Sequence, residues 1–150
     1  MDNLKVAVVE FLNNAVLIQN TLSPLKTGAC ILLNFENQDF VILRKTPQKL
    51  FAQSLKSAAE CDIEFEMNLE AARHLLAQRN LDLTDFTLEM IKQASLDNLN
   101  LRIHKSFLKL MRLGYFNILQ SAGAPFWKLL SEYGLGGISK INAMLHKFRA

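Results

Sequence analysis

Hydrophobic positions along the first third of the chain change period once. Residues 3–22 place Leu4, Val8, Phe11, Ala15, Ile18 and Leu22 at spacings of three and four, one stripe of an amphipathic helix. Pro24 and Gly28 stop that helix. Two β-rich apolar runs follow, Cys30–Phe35 and Phe40–Arg44, around a polar Glu-Asn-Gln-Asp turn. They predict a hairpin that is apolar on both faces, packed on one side and covered on the other. Residues 48–58, "QKLFAQSLKSA", fit a weak helical period and an extended segment equally.

The stretch "ECDIEFEMNLEAARHLLA", residues 60–77, is the most regular. Its period of two puts Cys61, Ile63, Phe65 and Met67 on one face of a strand and Glu60, Asp62, Glu64 and Glu66 on the other. Asn68 is placed to cap the next helix, with Glu70 in its first turn and Leu69, Ala72, Leu75 and Leu76 facing inward. A short helix capped by Thr84 or Asp85 then carries Phe86, Met90 and Ile91. "LNLRIH" alternates again, with Leu99, Leu101 and Ile103 on one face. Residues 106–120 read as a single apolar helix with Phe107, Leu108, Met111, Tyr115, Ile118 and Leu119. "SAGAP" (121–125) is a hinge, and two short amphipathic helices, 126–133 and 138–148, flank "GLGG". The second presents Ile138, Ile141, Met144, Leu145 and Phe148 on one face. This order predicts an α+β domain with a mainly antiparallel sheet covered by helices on one face.

Composition narrows the class. Of 150 residues, 50% are hydrophobic and 21% charged, which fits one packed domain and excludes a disordered chain. A mean hydropathy of +0.11 is high for a soluble domain of this size. No run reaches the ~18 apolar residues of a membrane span, and Glu10, Asn13 and Asn14 interrupt the N-terminal stripe, so a soluble, cytoplasmic protein is expected. Cys30 and Cys61 lie in apolar runs without CxxC spacing and read as buried free thiols. Residues 1–106 hold 11 basic and 13 acidic side chains, whereas residues 107–150 hold six basic ones and only Glu132. The chain is therefore polarised, with a basic, apolar tail.

Chemistry is sparse. Carboxylates two residues apart on a strand stand ~7 Å apart and need further oxygen ligands to hold a hard cation. They read instead as an outer strand face, with Arg102 and Lys105 as cross-strand partners. His74, His104 and His146 lack the company of a zinc motif, and no GxSxG elbow or P-loop is present. Neither a catalytic residue nor a metal or cofactor site is assigned. The basic tail carries aliphatic residues at helical spacing, which disfavours nucleic acid and suits an apolar groove or membrane interface.

With the elements in this order, residues from about 28 to 120 resemble a sterol carrier protein type 2 domain. "ILLNFENQDFVILRK" is similar to that family's opening hairpin, and "ECDIEFEMNLEAARHLLA" to its alternating strand running into a helix. "FTLEMIKQASLDNLNLRIHKSFLKLMRL" is similar to its short helix, last strand and final helix. The resemblance implies a five-stranded sheet, extended structure around Lys49–Leu55, and an apolar tunnel for acyl chains, sterols or other lipids. The family's glycines around the last strand are missing from "SLDNLNLRIHKS", so that turn is expected to be built differently.

The resulting expectation is a non-catalytic carrier for a lipid or other long apolar molecule, comprising a domain over 1–120 and a helical lid over 121–150. The candidate lining residues are Phe65, Met67, Leu76, Phe86, Met90, Phe107, Met111 and Met144. Phe126, Trp127, Lys128, Lys140, Lys147 and Arg149 are candidates for lid or peripheral membrane contact. A role as accessory factor in lipid or quinone metabolism belongs to this reading. The alternative is a protein–protein interaction module with a filled core, docking a protein partner through its tail.

Overall fold

The computed structural model describes residues 2–35, 39–77, 85, 88–90, 92–93, 96–121, 128 and 131. In chain order these form α1 (Asp2–Asn14), α2 (Val16–Thr21), β1 (Cys30–Phe35), β2 (Asp39–Lys45), β3 (Leu50–Leu55), β4 (Ile63–Met67), α3 (Leu69–Ala77), β5 (Leu99–Ile103), α4 (Phe107–Arg112) and α5 (Tyr115–Gln120). The strands make one five-stranded sheet in the order β3-β2-β1-β4-β5. Every pairing is antiparallel except β1–β4, which is parallel. The fold is α+β with a mostly antiparallel sheet, and the ambiguous segment after Gln48 is strand β3.

Strand alternation sorts the sheet into two faces. Ile31, Leu33, Val41, Leu43, Leu50 and Met67 point to the side where Val8, Phe11 and Leu12 of α1, Ile18 of α2 and Ala72 and Leu75 of α3 pack. Cys30, Leu32, Phe40 and Ile42 point the other way and form a second buried cluster with Cys61, flanked by Leu55 and Ala59. Ala59 and Cys61 belong to the connection from β3 to β4, so that connection crosses the second face. It must climb three strand spacings and return one strand length, roughly 20 Å in all. Residues 56–62 can do this only when nearly extended, because helical rise of ~1.5 Å per residue falls far short. Helices therefore cover one face and an extended crossover the other.

The crossover also shifts the alternation. Ile63, Phe65 and Met67 pair in register with Ile31, Leu33 and Phe35, facing the helices. Cys61, expected on that same face, instead joins Cys30 on the opposite one, because strand β4 begins only at Ile63. Asp62, expected in water, is buried at 4% exposure. Its carboxylate accepts the Cys30 amide N–H at 2.8 Å and the Tyr115 hydroxyl at 2.8 Å. Its own amide donates to the Cys30 carbonyl at 2.9 Å, and its carbonyl accepts from the His104 amide at 2.9 Å. One residue thus ties β1, β4, β5 and α5 together, and it satisfies the hydrogen-bonding demand that a buried charge imposes.

Both long helices expected from periodicity are broken. The first stripe divides at Ala15, which is extended (φ −69°, ψ 117°). The break frees Asn13 to pair with the edge strand: its amide donates to the Ala52 carbonyl at 3.1 Å and accepts the Ala52 N–H at 2.8 Å. Those Ala52 groups face outward from the sheet and would otherwise lack partners. Gln19 donates to the freed Leu12 carbonyl at 2.8 Å. The helix expected over 106–120 divides at Gly114, which has φ +92°. A Cβ there would run into the Pro24 carbonyl oxygen, so the site requires glycine twice over. Ser106 caps α4 by accepting the Lys109 N–H at 3.2 Å.

Asn68 caps α3 as expected, accepting the Ala71 N–H at 3.0 Å. The inward stripe is rotated by one residue: Ala71, Ala72 and Leu75 are buried, while Leu69 is exposed. Two adjacent alanines let α3 approach the sheet closely, which Leu69 would prevent. At the turn into β5, Asp97 takes the left-handed conformation (φ 61°), one that Asp tolerates better than most residues.

Gly114→Ala is expected to cost clearly more stability than Gly28→Ala in urea unfolding. Gly28 also has positive φ, but a Cβ added there would meet nothing within 4 Å, so it carries only the backbone strain of about 1–3 kcal/mol. Tyr115→Phe removes the hydrogen bond to a buried carboxylate and should cost about 1.5–3 kcal/mol. Burial, reinforced by the Asp62 carboxylate, raises the Tyr115 phenol well above its usual value. Its contribution is therefore complete below pH ~10 and is lost as pH rises through the folded-state pKa. In an alkaline absorbance titration, ionisation of Tyr115 should accompany unfolding, and Tyr115→Phe should remove that late step.

Candidate functional site

Under the N-terminal helices lies a cavity of about 190 Å³. Leu12 closes α1 over it, and Leu17, Ile18, Thr21 and Leu22 line it from α2 and the turn beyond. The floor is Ile31 and Leu33 of β1, Leu43 of β2, and Phe65 and Met67 of β4, with Leu75 of α3 and Met90 on the remaining sides. Eleven of the twelve lining side chains are apolar, and Thr21 is the exception. Leu12, Ile18, Ile31, Leu33, Leu43, Met67 and Leu75 are buried, whereas Leu17, Thr21, Leu22, Phe65 and Met90 are partly exposed and frame the mouth.

Chain breaks explain why the space is open. Helix α1 packs chiefly on β3 and β2. The turn at Ala15 then redirects the chain, and the single short turn-and-a-half of α2 spans the gap over β1 and β4 without filling it. A continuous helix over residues 3–22 would have no such bend. An apolar lining of this kind stays dry when empty, since water entering it would find almost no hydrogen-bond partner.

Among the lining candidates read from the sequence, Phe65, Met67 and Met90 meet at this cavity. Leu76 packs against the core cluster beside it, and Phe107 meets Phe116 at a tilted angle with ring centroids 4.8 Å apart. Met111 is 48% exposed on α4 and does not line the cavity. Phe86 and Met144 lie outside the described residues, as do Phe126, Trp127, Lys140, Lys147 and Arg149; Lys128 is helical and exposed. Sequence reasoning passed over Leu17, Ile18, Thr21 and Leu22. Ile18 and Leu22 were present in the N-terminal stripe and Leu17 and Thr21 were not, because periodicity alone cannot show that a stripe bends.

On the opposite face the acids expected on the outer side of β4 are paired. Glu66 meets Arg102 at 2.8 Å, Glu60 meets Lys105, and Glu64 meets His104 at 2.8 Å. Burial opposes ionisation of Glu64, but hydrogen bonds from Asn34 and His104 outweigh it and hold the carboxyl below its usual range. A second, polar cleft of about 620 Å³ lies nearby, lined by Cys30, Arg44, Glu60, Cys61, Asp62 and Lys105 among others. Burial pushes the Cys61 thiol up to about 12 and raises Cys30 as well, so both thiols are neutral and poor nucleophiles near pH 7. Both are free and buried. No helix among the described residues is long and apolar enough to cross a membrane.

No protein-family model and no curated protein matches the sequence. Among solved structures, a UbiJ-SCP2 ubiquinone synthesis protein is similar at 9% identity and TM-score 0.48, covering 81% of this chain and 97% of that one. A conserved hypothetical protein from Thermus thermophilus, described as a candidate sterol carrier protein, is similar at 16% identity and TM-score 0.42, covering 93% and 92%. A sterol carrier protein 2 structure is similar at 15% identity and TM-score 0.42, covering 80% and 93%. The chain resembles these structures in fold. At such identities the likeness carries no residue across.

Leu75→Ala, at a side chain 5% exposed, should cost about 2–5 kcal/mol in urea unfolding. It should also enlarge the cavity, so the folded variant is expected to bind an apolar fluorescent dye more strongly than the parent protein.

Proposed function

We propose that this protein is a non-catalytic carrier for a lipid or another long apolar molecule, held by its chain in the cavity between the N-terminal helices and the sheet. The observation that carries the reading is the lining, apolar at eleven of twelve positions in a partly open cavity. A solid core has no use for such a void, because each unfilled space forfeits packing energy. A cargo that enters recovers about 0.8 kcal/mol for each methylene taken out of water.

Volume limits what fits. About 190 Å³ is somewhat larger than an engineered apolar cavity known to take benzene, and smaller than pockets for drug-sized ligands. The cavity therefore holds one segment of a chain, and the mouth framed by α2 and Met90 is where the rest of the molecule leaves. Methionines in this lining, Met67 in the floor and Met90 at the rim, suit cargo of varied shape because their side chains repack readily. In the same reading the domain over 1–120 is the carrier and the basic tail over 121–150 docks a membrane or an enzyme complex, with quinone intermediates among the cargo classes.

Native mass spectrometry of the purified protein, followed by solvent extraction, tests the carrier directly. A discrete added mass that extracts as lipid or quinone is the expected result. A protein that stays at its apo mass after incubation with fatty acids, phospholipids and quinones would refute the reading and favour an interaction module. Affinity across a fatty-acid series should rise about fourfold per methylene and then level off once the cavity is full. Thr21→Trp, placed at the mouth, should displace about two methylenes of cargo and so weaken binding roughly tenfold, with little change in stability.

A further inference from the structure

The sheet face opposite the cavity carries a second constellation. Cys61, Glu64 and His104 each turn a ligand atom to one spot, and those atoms all lie within 4.8 Å of one another. We propose that these three residues form a binding site for a zinc-class divalent cation, independent of the apolar cavity.

The donor set is a thiol sulfur, an imidazole nitrogen and a carboxylate oxygen. Around tetrahedral zinc, such donors stand about 3.3–3.6 Å from each other, given bond lengths near 2.0–2.1 Å to N and O and 2.3 Å to S. His104 Nε2 and Glu64 Oε1 are 2.8 Å apart and need only open by about half an ångström to admit the ion between them. The thiol closes by at most about 1.3 Å, within reach of a side-chain rotation and not a shift of the strands.

The surroundings orient the ligands. Glu64 Oε2 accepts the Asn34 amide at 2.9 Å, which leaves Oε1 turned to His104. Partners of this kind fix a ligand's orientation in metal sites. The backbone is equally constrained: Glu64 lies in register with Arg102 across β4–β5, and the His104 amide donates to the Asp62 carbonyl at 2.9 Å. Cys61 is held in the buried cluster beside Cys30.

Charge agrees with geometry. A thiolate and a carboxylate with neutral imidazole match a dication, the Cys61 proton passing to solvent on binding. Burial, and after it the neighbouring Cys30, Glu64 and Asp62, keeps the Cys61 thiol protonated in the absence of an ion; the carboxylate field attracts a cation, and Lys105 acts in the other direction. A sulfur donor selects zinc over magnesium or calcium. Cys30 Sγ is engaged with the Glu60 carbonyl at 3.6 Å, so the fourth position falls to water. His104 is 33% exposed and Cys61 borders the polar cleft, which gives the ion a route in. Glu64 and His104 are forty positions apart in sequence, so no motif announces the site.

Cobalt(II) titration of the full-length, chelator-stripped protein tests the assignment. The expected result is one equivalent bound, with a thiolate-to-cobalt charge-transfer band and tetrahedral d–d bands, all abolished by added zinc. Cys61→Ser should remove the charge-transfer band, and His104→Gln and Asn34→Ala should each weaken binding at least about tenfold. Cys30→Ser should leave the spectrum in place. Circular dichroism checks that each variant is folded. Should Cys61→Ser unfold, the parent spectrum and the exposed His104→Gln variant decide the matter. Absence of the charge-transfer band, its survival in folded Cys61→Ser, unchanged affinity in His104→Gln, or equal loss in Cys30→Ser would each overturn the proposal.

Discussion

Everything in this fold turns on how short the chain is between β3 and β4. Residues 56–62 must carry it from one edge of the sheet, past two strands, to the far side of β1. No helix can span that distance with so few residues, so the connection lies extended on the sheet and shields Leu32 and Ile42 itself. Its landing is secured by Asp62, whose backbone and carboxylate together engage β1, β5 and α5. Parallel pairing of β1 with β4 follows, and with it a sheet centre buried on both sides.

That arrangement divides the molecule's business between the two faces. All the helices of the N-terminal half are gathered on one side, where they are free to arch because the other side needs no help from them. Asn13 and Gln19 take up the backbone groups left open by the bend at Ala15 and by the edge strand β3. The bend is thereby stable, and the space beneath α2 remains. A cavity here is the outcome of satisfied polar groups around it, with apolar side chains left facing each other across a gap.

The opposite face is organised by charge. Three acids that alternate along and before β4 each find a basic or imidazole partner on β5 or just beyond it, Glu66 reaching Arg102 diagonally across the register. Close pairing within a half-buried surface brings thiol, imidazole and carboxylate into one place, which is chemically distinct from anything on the helical side.

Much of this was readable from the residues alone. Continuous apolar runs around a polar turn located β1 and β2, which are buried on both faces, and periods of two located β4 and β5, where side chains alternate across the strand. The acidic row and its partners Arg102 and Lys105 were legible for the same reason, as was the cap at Asn68. The helix breaks at Ala15 and Gly114 were not, because periodicity continues through a bend; only the contact of Gly114 with Pro24 and of Asn13 with Ala52 requires them. The inversion of Cys61 and Asp62 was hidden likewise, set by where an extended crossover can land. Local preferences were enough to mark most strand and helix residues, but they left β3 open and misplaced Asp62 and Leu69, whose burial depends on what packs against them. Tertiary structure alone decided which side chains would meet, since a cavity wall and a ligand set are both assembled from positions dozens of residues apart.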